Sequence, residues 1–475
     1  MADCSGFGSI DFLVKLTGLS DAGLRLVLAL FSAYPLAFIY HAFFYRKNPV
    51  LQHAYFMFCG LSIAAFCYGW CFAHSLIAIV SSYLLLHIIG PSIVMVVLVF
   101  LFNMGYLLTS YAYYASGDYD VNWTTPQCIL TLRLISVAWD YYDGNQDQEK
   151  LTPDFKATAI KTPPTLLQLC GLSYFYGGFL VGPQFQIKGF VSFVEGTLMD
   201  KKDDNNSRVS EGLKRMFLGI MYLALFAVLE PYVSIQTILS EEFKRHSFLA
   251  KAWYIIFFSK IALMKYLAVW CLSEGSCIIS GIGYNGKTAD GKVRWDGVRN
   301  VKLSVYETAY NFQHMIDSFN INTNKWVFRY VFKRLRFLGN KNLSHLLALM
   351  FLAVWHGLFL GYFVCFFGEF LVMLMEKQIS NMCYAVTKRP LMEMPAPIKI
   401  SVLAFYVPIV LFGMGYFNVA FNLLTFSRFH EVWLSLYYII PLVLLVWHVF
   451  YPTLIYPIFK RMTREEKEER SKKVN

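Results

Sequence analysis

A chain of 475 residues of which 57% are hydrophobic and 15% charged, with a mean hydropathy of +0.46, is too apolar to fold in water. Soluble domains carry about 25% charged residues, and a globule of this size has too little interior to hide the excess apolar surface. The formal net charge of +11 fits lysines and arginines set beside anionic lipid headgroups, and no nucleic-acid-binding module is legible to explain it otherwise.

Taken in chain order, apolar runs near the length that crosses ~30 Å of hydrocarbon occupy residues 24–45, 54–72, 75–89, 91–114, 165–181, 216–238, 253–272, 346–373, 400–421 and 432–450. The runs at 75–89 and 165–181 are short enough to be re-entrant or interfacial, and 129–137 is a further short piece. All are continuous rather than alternating, which excludes a β-barrel, and unpaired backbone is too costly in lipid for anything but helices. The expectation is an all-α, polytopic integral membrane protein with about ten or eleven transmembrane helices, residues 1–475 forming one multi-pass domain.

The first twenty residues carry Asp3, Asp11 and Lys15 without a basic stretch leading into an apolar core, so no cleavable signal peptide is expected. Lysines and arginines crowd the tail at 459–475, which predicts a cytosolic C-terminus. That tail ends with Lys472 and Lys473 third and fourth from the last residue, the spacing that coatomer reads as a retrieval signal on endoplasmic reticulum membrane proteins. The ten cysteines lie mostly in or beside apolar runs with no CxxC pair, which predicts small buried hydrophobes and no metal site. Sequons stand at Asn122, Asn205 and Asn342.

The largest polar insert, 281–342, opens on Gly281-Ile282-Gly283-Tyr284-Asn285-Gly286, which satisfies GxGxxG literally. A dinucleotide site needs that motif between a strand and a helix. Here it follows an apolar run and enters a polar loop, so a glycine turn leaving the membrane is expected. Three asparagines then crowd Ser318-Phe319-Asn320-Ile321-Asn322-Thr323-Asn324-Lys325-Trp326, which by itself reads as a capped loop before a helix. Residues 326–338 follow as an amphipathic interfacial helix. Lys325, Arg329, Lys333 and Arg336 share one face, with Val327, Phe328, Val331, Leu335 and Leu338 away from it.

His356 sits within the run 346–373, flanked by Trp355 and Gly357. A titratable side chain inside a span is either a functional proton carrier or a structural hydrogen-bonding group. His41, His74, His87 and His448 also lie in or beside apolar runs, but His356 alone has the small neighbour that gives close access.

Phe-Asn-Ile-Asn-Thr-Asn-Lys-Trp around Asn320, with Trp355-His356-Gly357 following, resembles the membrane-bound O-acyltransferase (MBOAT) family, in particular its lysophospholipid branch with WNxxTNxW and WHG motifs. The likeness spans nearly the whole chain and includes Arg133, Trp139-Asp140, Gly182-Pro183-Gln184-Phe185, Gly283-Tyr284-Asn285-Gly286 and Trp295-Asp296. Phe319 stands where the branch pattern has Trp. The resemblance implies an MBOAT-type fold with an intramembrane reaction chamber and His356 and Asn320 as the catalytic pair. Thr323, Asn324, Trp326, Trp355 and Gly357 are their motif support. It implies acyl transfer from acyl-CoA, a co-substrate and not a resident cofactor, to the sn-2 hydroxyl of lysophosphatidylcholine and related lysophospholipids in the endoplasmic reticulum membrane. CoA is a cytosolic polyanion, so Lys325, Arg329, Lys333 and Arg336 become its expected dock, or else a topological anchor. A family member that acylates a peptide, and a transporter using Glu230, Lys260, Lys265 and Glu274, are the competing readings.

Overall fold

The computed structural model describes residues 4–114, 122–203 and 206–461. Lys472, Lys473 and Asn205 lie outside them. Among the described residues the regular structure is helical, and the only β pairing is an isolated antiparallel bridge between Lys287 and Val293.

We label the principal helices in chain order: α1 (Asp21–Phe43), α2 (Pro49–Tyr68), α3 (Phe72–Ile89), α4 (Ile93–Tyr114), α5 (Thr124–Gly144), α6 (Leu166–Ser173), α7 (Ser207–Leu229), α8 (Phe248–Ser280), α9 (Phe312–Ser318), α10 (Ile321–Val327), α11 (Lys341–His356), α12 (Leu360–Thr387), α13 (Ala396–Leu423), α14 (Phe426–Ser435) and α15 (Ile439–Phe450). Seven described helical stretches are long and apolar enough to cross a membrane, one of them spanning α2 and α3 together. Their outward faces carry large apolar side chains such as Phe58, Ile88, Phe217, Phe405 and Leu445, all exposed. A surface of that kind is stable only against lipid. The chain is a multi-pass membrane protein.

Between apolar faces in lipid, close backbone approach replaces the hydrophobic drive. The α7–α8 pair shows this. A Cβ on Gly212 would fall 2.8 Å from the Gly275 carbonyl oxygen, and one on Gly219 would fall 3.0 Å from that of Ala268.

Three expectations need correction. The run 165–181 is not a span: α6 ends at Ser173 and irregular backbone follows. Arg133, 1% exposed, donates to the carbonyls of Leu172 (2.8 Å), Ser173 (3.2 Å), Gly178 (3.0 Å) and Pro183 (3.2 Å). One guanidinium thus satisfies carbonyls that a longer helix would have satisfied itself, which makes irregular backbone tolerable in a buried segment. The run 346–373 is two helices, because Gly357 adopts φ 142, a conformation L side chains rarely enter. Finally, two cysteines are not simple buried hydrophobes. Cys4 and Cys71 form a disulfide across 67 residues, tying the N-terminal segment to the turn between α2 and α3.

Candidate active site

The break at Gly357 makes His356 the last residue of α11 instead of the middle of a span. Its position is held from three sides. The Tyr111 hydroxyl donates to the Trp355 carbonyl at 3.1 Å, and the Trp355 indole donates to the Cys128 carbonyl at 2.9 Å. The chain then turns into α12, where the Gly361 N–H bonds the Leu424 carbonyl at 2.8 Å. A Cβ on Gly361 would come within 2.1 Å of the Ala420 carbonyl oxygen, so only glycine lets α12 seat there.

The imidazole lies among Trp355, Tyr362, Phe366 and Phe421, with ring centroids 4.6, 5.6, 5.4 and 5.1 Å away. It makes no hydrogen bond to any described residue. Four other histidines in or beside apolar runs differ. His74 bonds the Tyr106 hydroxyl at 2.6 Å, His87 the Tyr83 carbonyl at 2.9 Å and His448 the Leu371 carbonyl at 3.0 Å, while His41 accepts from Arg208 at 3.0 Å. Those four have structural partners; His356 has none, a state it shares with His53, buried in α2 with its Nδ1 unpartnered.

Asn320 is the N-cap of α10 and sits in the left-handed region, φ 49 and ψ 42, which asparagine tolerates better than most residues. The surrounding motif residues lock this turn. Asn324 donates from its side chain to the carbonyls of Ile316 and Phe319, both at 3.0 Å. Trp326 donates to the Leu132 carbonyl at 2.9 Å and stacks on Phe351. Phe319, the departure from the family pattern, stacks on Tyr306 at 5.5 Å and meets Trp270 edge-on at 4.8 Å. Thr323 is buried.

Asn320 and His356 both line one internal chamber of about 590 Å³. A cavity of that size accommodates ligand-sized molecules. Thr323, Asn324, Trp355 and Gly357 are also on its wall, as are Gln184, Lys265 and Glu369. The four basic residues are not. The continuous amphipathic helix expected at 326–338 is also absent. α10 ends at Val327, a π-helical turn runs Phe328–Phe332, and a 3₁₀ turn closes Arg336–Leu338. The extra residue in the π turn rotates the register, so Phe328 and Leu338 are exposed while Trp326 and Tyr330 are buried. Lys333 is paired with Asp154, Arg329 is half-buried, and Lys325 and Arg336 are exposed. Arg334 bonds Asp143 through two nitrogens and lies 4.0 Å from the Trp139 ring centroid and 3.8 Å from that of Phe155.

The glycine motif is a turn leaving α8, as expected. Gly281 caps that helix in the left-handed region, and the loop returns through Asn285 N–H to Arg294 carbonyl and Arg294 N–H to Gly286 carbonyl bonds, each 2.9 Å. Outside the membrane, the Lys287 ammonium bonded to Asp203 holds that carboxyl below the usual carboxylate range, and the Tyr284 hydroxyl reinforces it.

Two of the four intramembrane charges that could have marked a transport path are paired within the structure, while Lys265 lines the chamber. Glu274, fully buried, receives Arg215 at 2.7 Å and Arg299 at 3.4 Å; Lys260 pairs with Glu307 at 3.1 Å. The roles of Arg133, Arg215, Arg299 and Asn300 were not visible from residue order. An acid inside an apolar run, Glu274, was the one signal that buried partners must exist.

An imidazole without a hydrogen-bond partner and an asparagine amide thus share the wall of one cavity inside a multi-pass helical membrane protein. Comparison narrows the class. The profile described as "MBOAT, membrane-bound O-acyltransferase family" matches residues 108–417. "Lysophospholipid acyltransferase 5" of Mus musculus is 41% identical over 94% of this chain and 91% of its own length. The protein of the same name from Homo sapiens is 40% identical over 95% and 92%, and that from Drosophila melanogaster 36% identical over 94% and 90%. The chain belongs to the membrane-bound O-acyltransferase family. It is an acyltransferase.

Proposed function

We propose that this protein is an acyl-CoA-dependent lysophospholipid O-acyltransferase of the lysophosphatidylcholine type 3 kind, acylating the sn-2 hydroxyl and favouring polyunsaturated donors. The observation that carries the reading is the placement of His356 and Asn320 on the wall of one chamber; the names of its relatives, together with their coverage of nearly the whole chain, support the substrate class.

The chemistry follows from those two side chains. His356 takes the proton of the acceptor hydroxyl as its oxygen attacks the thioester carbonyl, a general-base contribution typically of ~10²–10⁴-fold. The resulting oxyanion is met by the Asn320 amide. On collapse the C–S bond breaks and CoA leaves as a thiolate of pKa roughly 8.5 when protonated, which recovers the proton from the imidazolium. Oxygen–acyl and sulfur–hydrogen bonds replace sulfur–acyl and oxygen–hydrogen bonds. Neither metal nor covalent acyl-enzyme is required, so the cysteines need not be nucleophiles.

The same reading places the enzyme in the endoplasmic reticulum with its C-terminus cytosolic and the Lys472–Lys473 tail available to coatomer. The Cys4–Cys71 disulfide supports it, because such a bond persists on the oxidising, lumenal side. CoA then docks from the cytosol against Lys325, Arg329, Lys333 and Arg336. The test is a matrix of acyl-CoA donors against lysophospholipid and peptide acceptors with the purified protein. Transfer to lysophosphatidylcholine but not to peptide is expected, and exclusive peptide acylation would overturn the proposal.

A further inference from the structure

We infer that Asn300 is a positioning residue that sets which end of the Asn320 amide faces the chamber, and that a buried ion cluster holds Asn300 in register. This rests on the acyl-transfer reading above.

Segment 298–302 runs beside 318–322 and takes up its polar groups. Asn300 accepts the Ile321 N–H on its backbone carbonyl and the Asn322 N–H on its side-chain Oδ1, both at 2.9 Å. The Asn322 side chain donates to the carbonyls of Val298 (3.1 Å) and Arg299 (3.2 Å), and the Lys302 N–H bonds the Ser318 carbonyl at 2.9 Å. Asn300, only 3% exposed, reaches the chamber wall and so stands between the loop and the reaction space.

The hydrogen-bond inventory fixes the amide orientations. A backbone N–H can only donate, so the Asn300 atom facing Asn322 is oxygen. Its NH₂ is therefore the group facing Asn320, 3.5 Å from Oδ1, and a donor there needs an acceptor. Asn320 must present Oδ1 to Asn300, which leaves its Nδ2 hydrogens for the chamber that it lines. That is the productive sense. A developing oxyanion is stabilised by N–H and repelled by a carbonyl oxygen. The 3.5 Å contact is long, as catalytic hydrogen bonds often are without substrate.

What holds Asn300 is equally specific. Glu274, on α8, binds Arg299 at 3.4 Å and Arg215 at 2.7 Å, and Arg215 also donates to the Val301 carbonyl at 3.3 Å. Both chain neighbours of Asn300 are thereby anchored to one fully buried carboxylate.

The test uses the full-length protein and compares Asn300→Ala, Asn300→Asp, Asn320→Ala and the double alanine variant with wild type. Asn300→Asp keeps the acceptor for Asn322 but offers Asn320 a second acceptor, which turns the Asn320 NH₂ away from the chamber. We expect kcat to fall roughly 10–100-fold in Asn300→Ala and at least as far in Asn300→Asp, with KM for both substrates within about threefold of wild type. In the Asn320→Ala background, adding Asn300→Ala should cost less than about twofold more. Near-normal kcat in Asn300→Asp, or effects that multiply in the double variant, overturns the inference. Should Asn300→Ala not fold, Asn300→Asp, which keeps the loop bond, decides. A wild type that transfers to no lysolipid overturns the acyl-transfer reading itself, and the inference with it.

Discussion

The Tyr111 hydroxyl donates a hydrogen bond to the carbonyl of Trp355 at 3.1 Å, so α4 grips the backbone one residue before His356. This bond and the Trp355 indole contact fix the end of α11, and the imidazole inherits that rigidity. Removing the ring should then abolish chemistry without loosening its support. His356→Ala and Asn320→Ala should each lower turnover roughly a hundredfold or more while the protein stays monodisperse with unchanged Tm. Near-normal turnover in purified His356→Ala would exclude the general base.

Gly357 offers a separate test of geometry. Any side chain there must hold φ 142, and its Cβ would approach the Tyr362 ring at 3.1 Å. Gly357→Ala should reduce kcat at least tenfold by displacing the adjacent imidazole, since strain of about 1–3 kcal/mol has to relax somewhere. Wild-type kinetics from Gly357→Ala would show that the helix break tolerates a side chain.

The basic residues after Asn320 are to be read through KM. Arg329→Gln with Arg336→Gln should raise KM for acyl-CoA several-fold and leave that for lysolipid little changed. Wild-type KM for acyl-CoA should climb with ionic strength, and the variant's should climb less, because screened charges have less to lose. If both KM values stay put, these residues anchor the segment and CoA docks elsewhere.

The disulfide can be checked by alkylation. A maleimide–polymer gel shift on denatured protein should gain two modified thiols, Cys4 and Cys71, only after reduction. Replacing both by serine should lower stability by on the order of 2–4 kcal/mol, the usual worth of a bond closing a long loop. Full alkylation without reductant would mean that the pair is not formed in the cell.

For the tail, Lys472→Ser with Lys473→Ser should let a fraction of the protein leave the endoplasmic reticulum, scored by microscopy at matched expression. An unchanged distribution would reduce the terminal lysines to ordinary solvated charge.

The membrane class of this protein was fully determined by its sequence, since the bilayer rewards composition and run length, and both are local properties of a chain. Asn320 and His356 were singled out only by resemblance to a family's motifs; read alone, the asparagine stretch was a capped loop and His356 either a proton carrier or a structural group. Tertiary structure alone decided where helices stop and which polar groups meet. The run 165–181 is as apolar as a span, yet Arg133 captures its carbonyls from another helix. Nothing in residues 326–338 foretold the π turn that interrupts the helix, or that Arg334 would find Asp143. Asn300 lies twenty positions from Asn320 and carries no unusual chemistry of its own. Its importance comes from hydrogen-bond direction, which exists only once two distant segments are brought side by side.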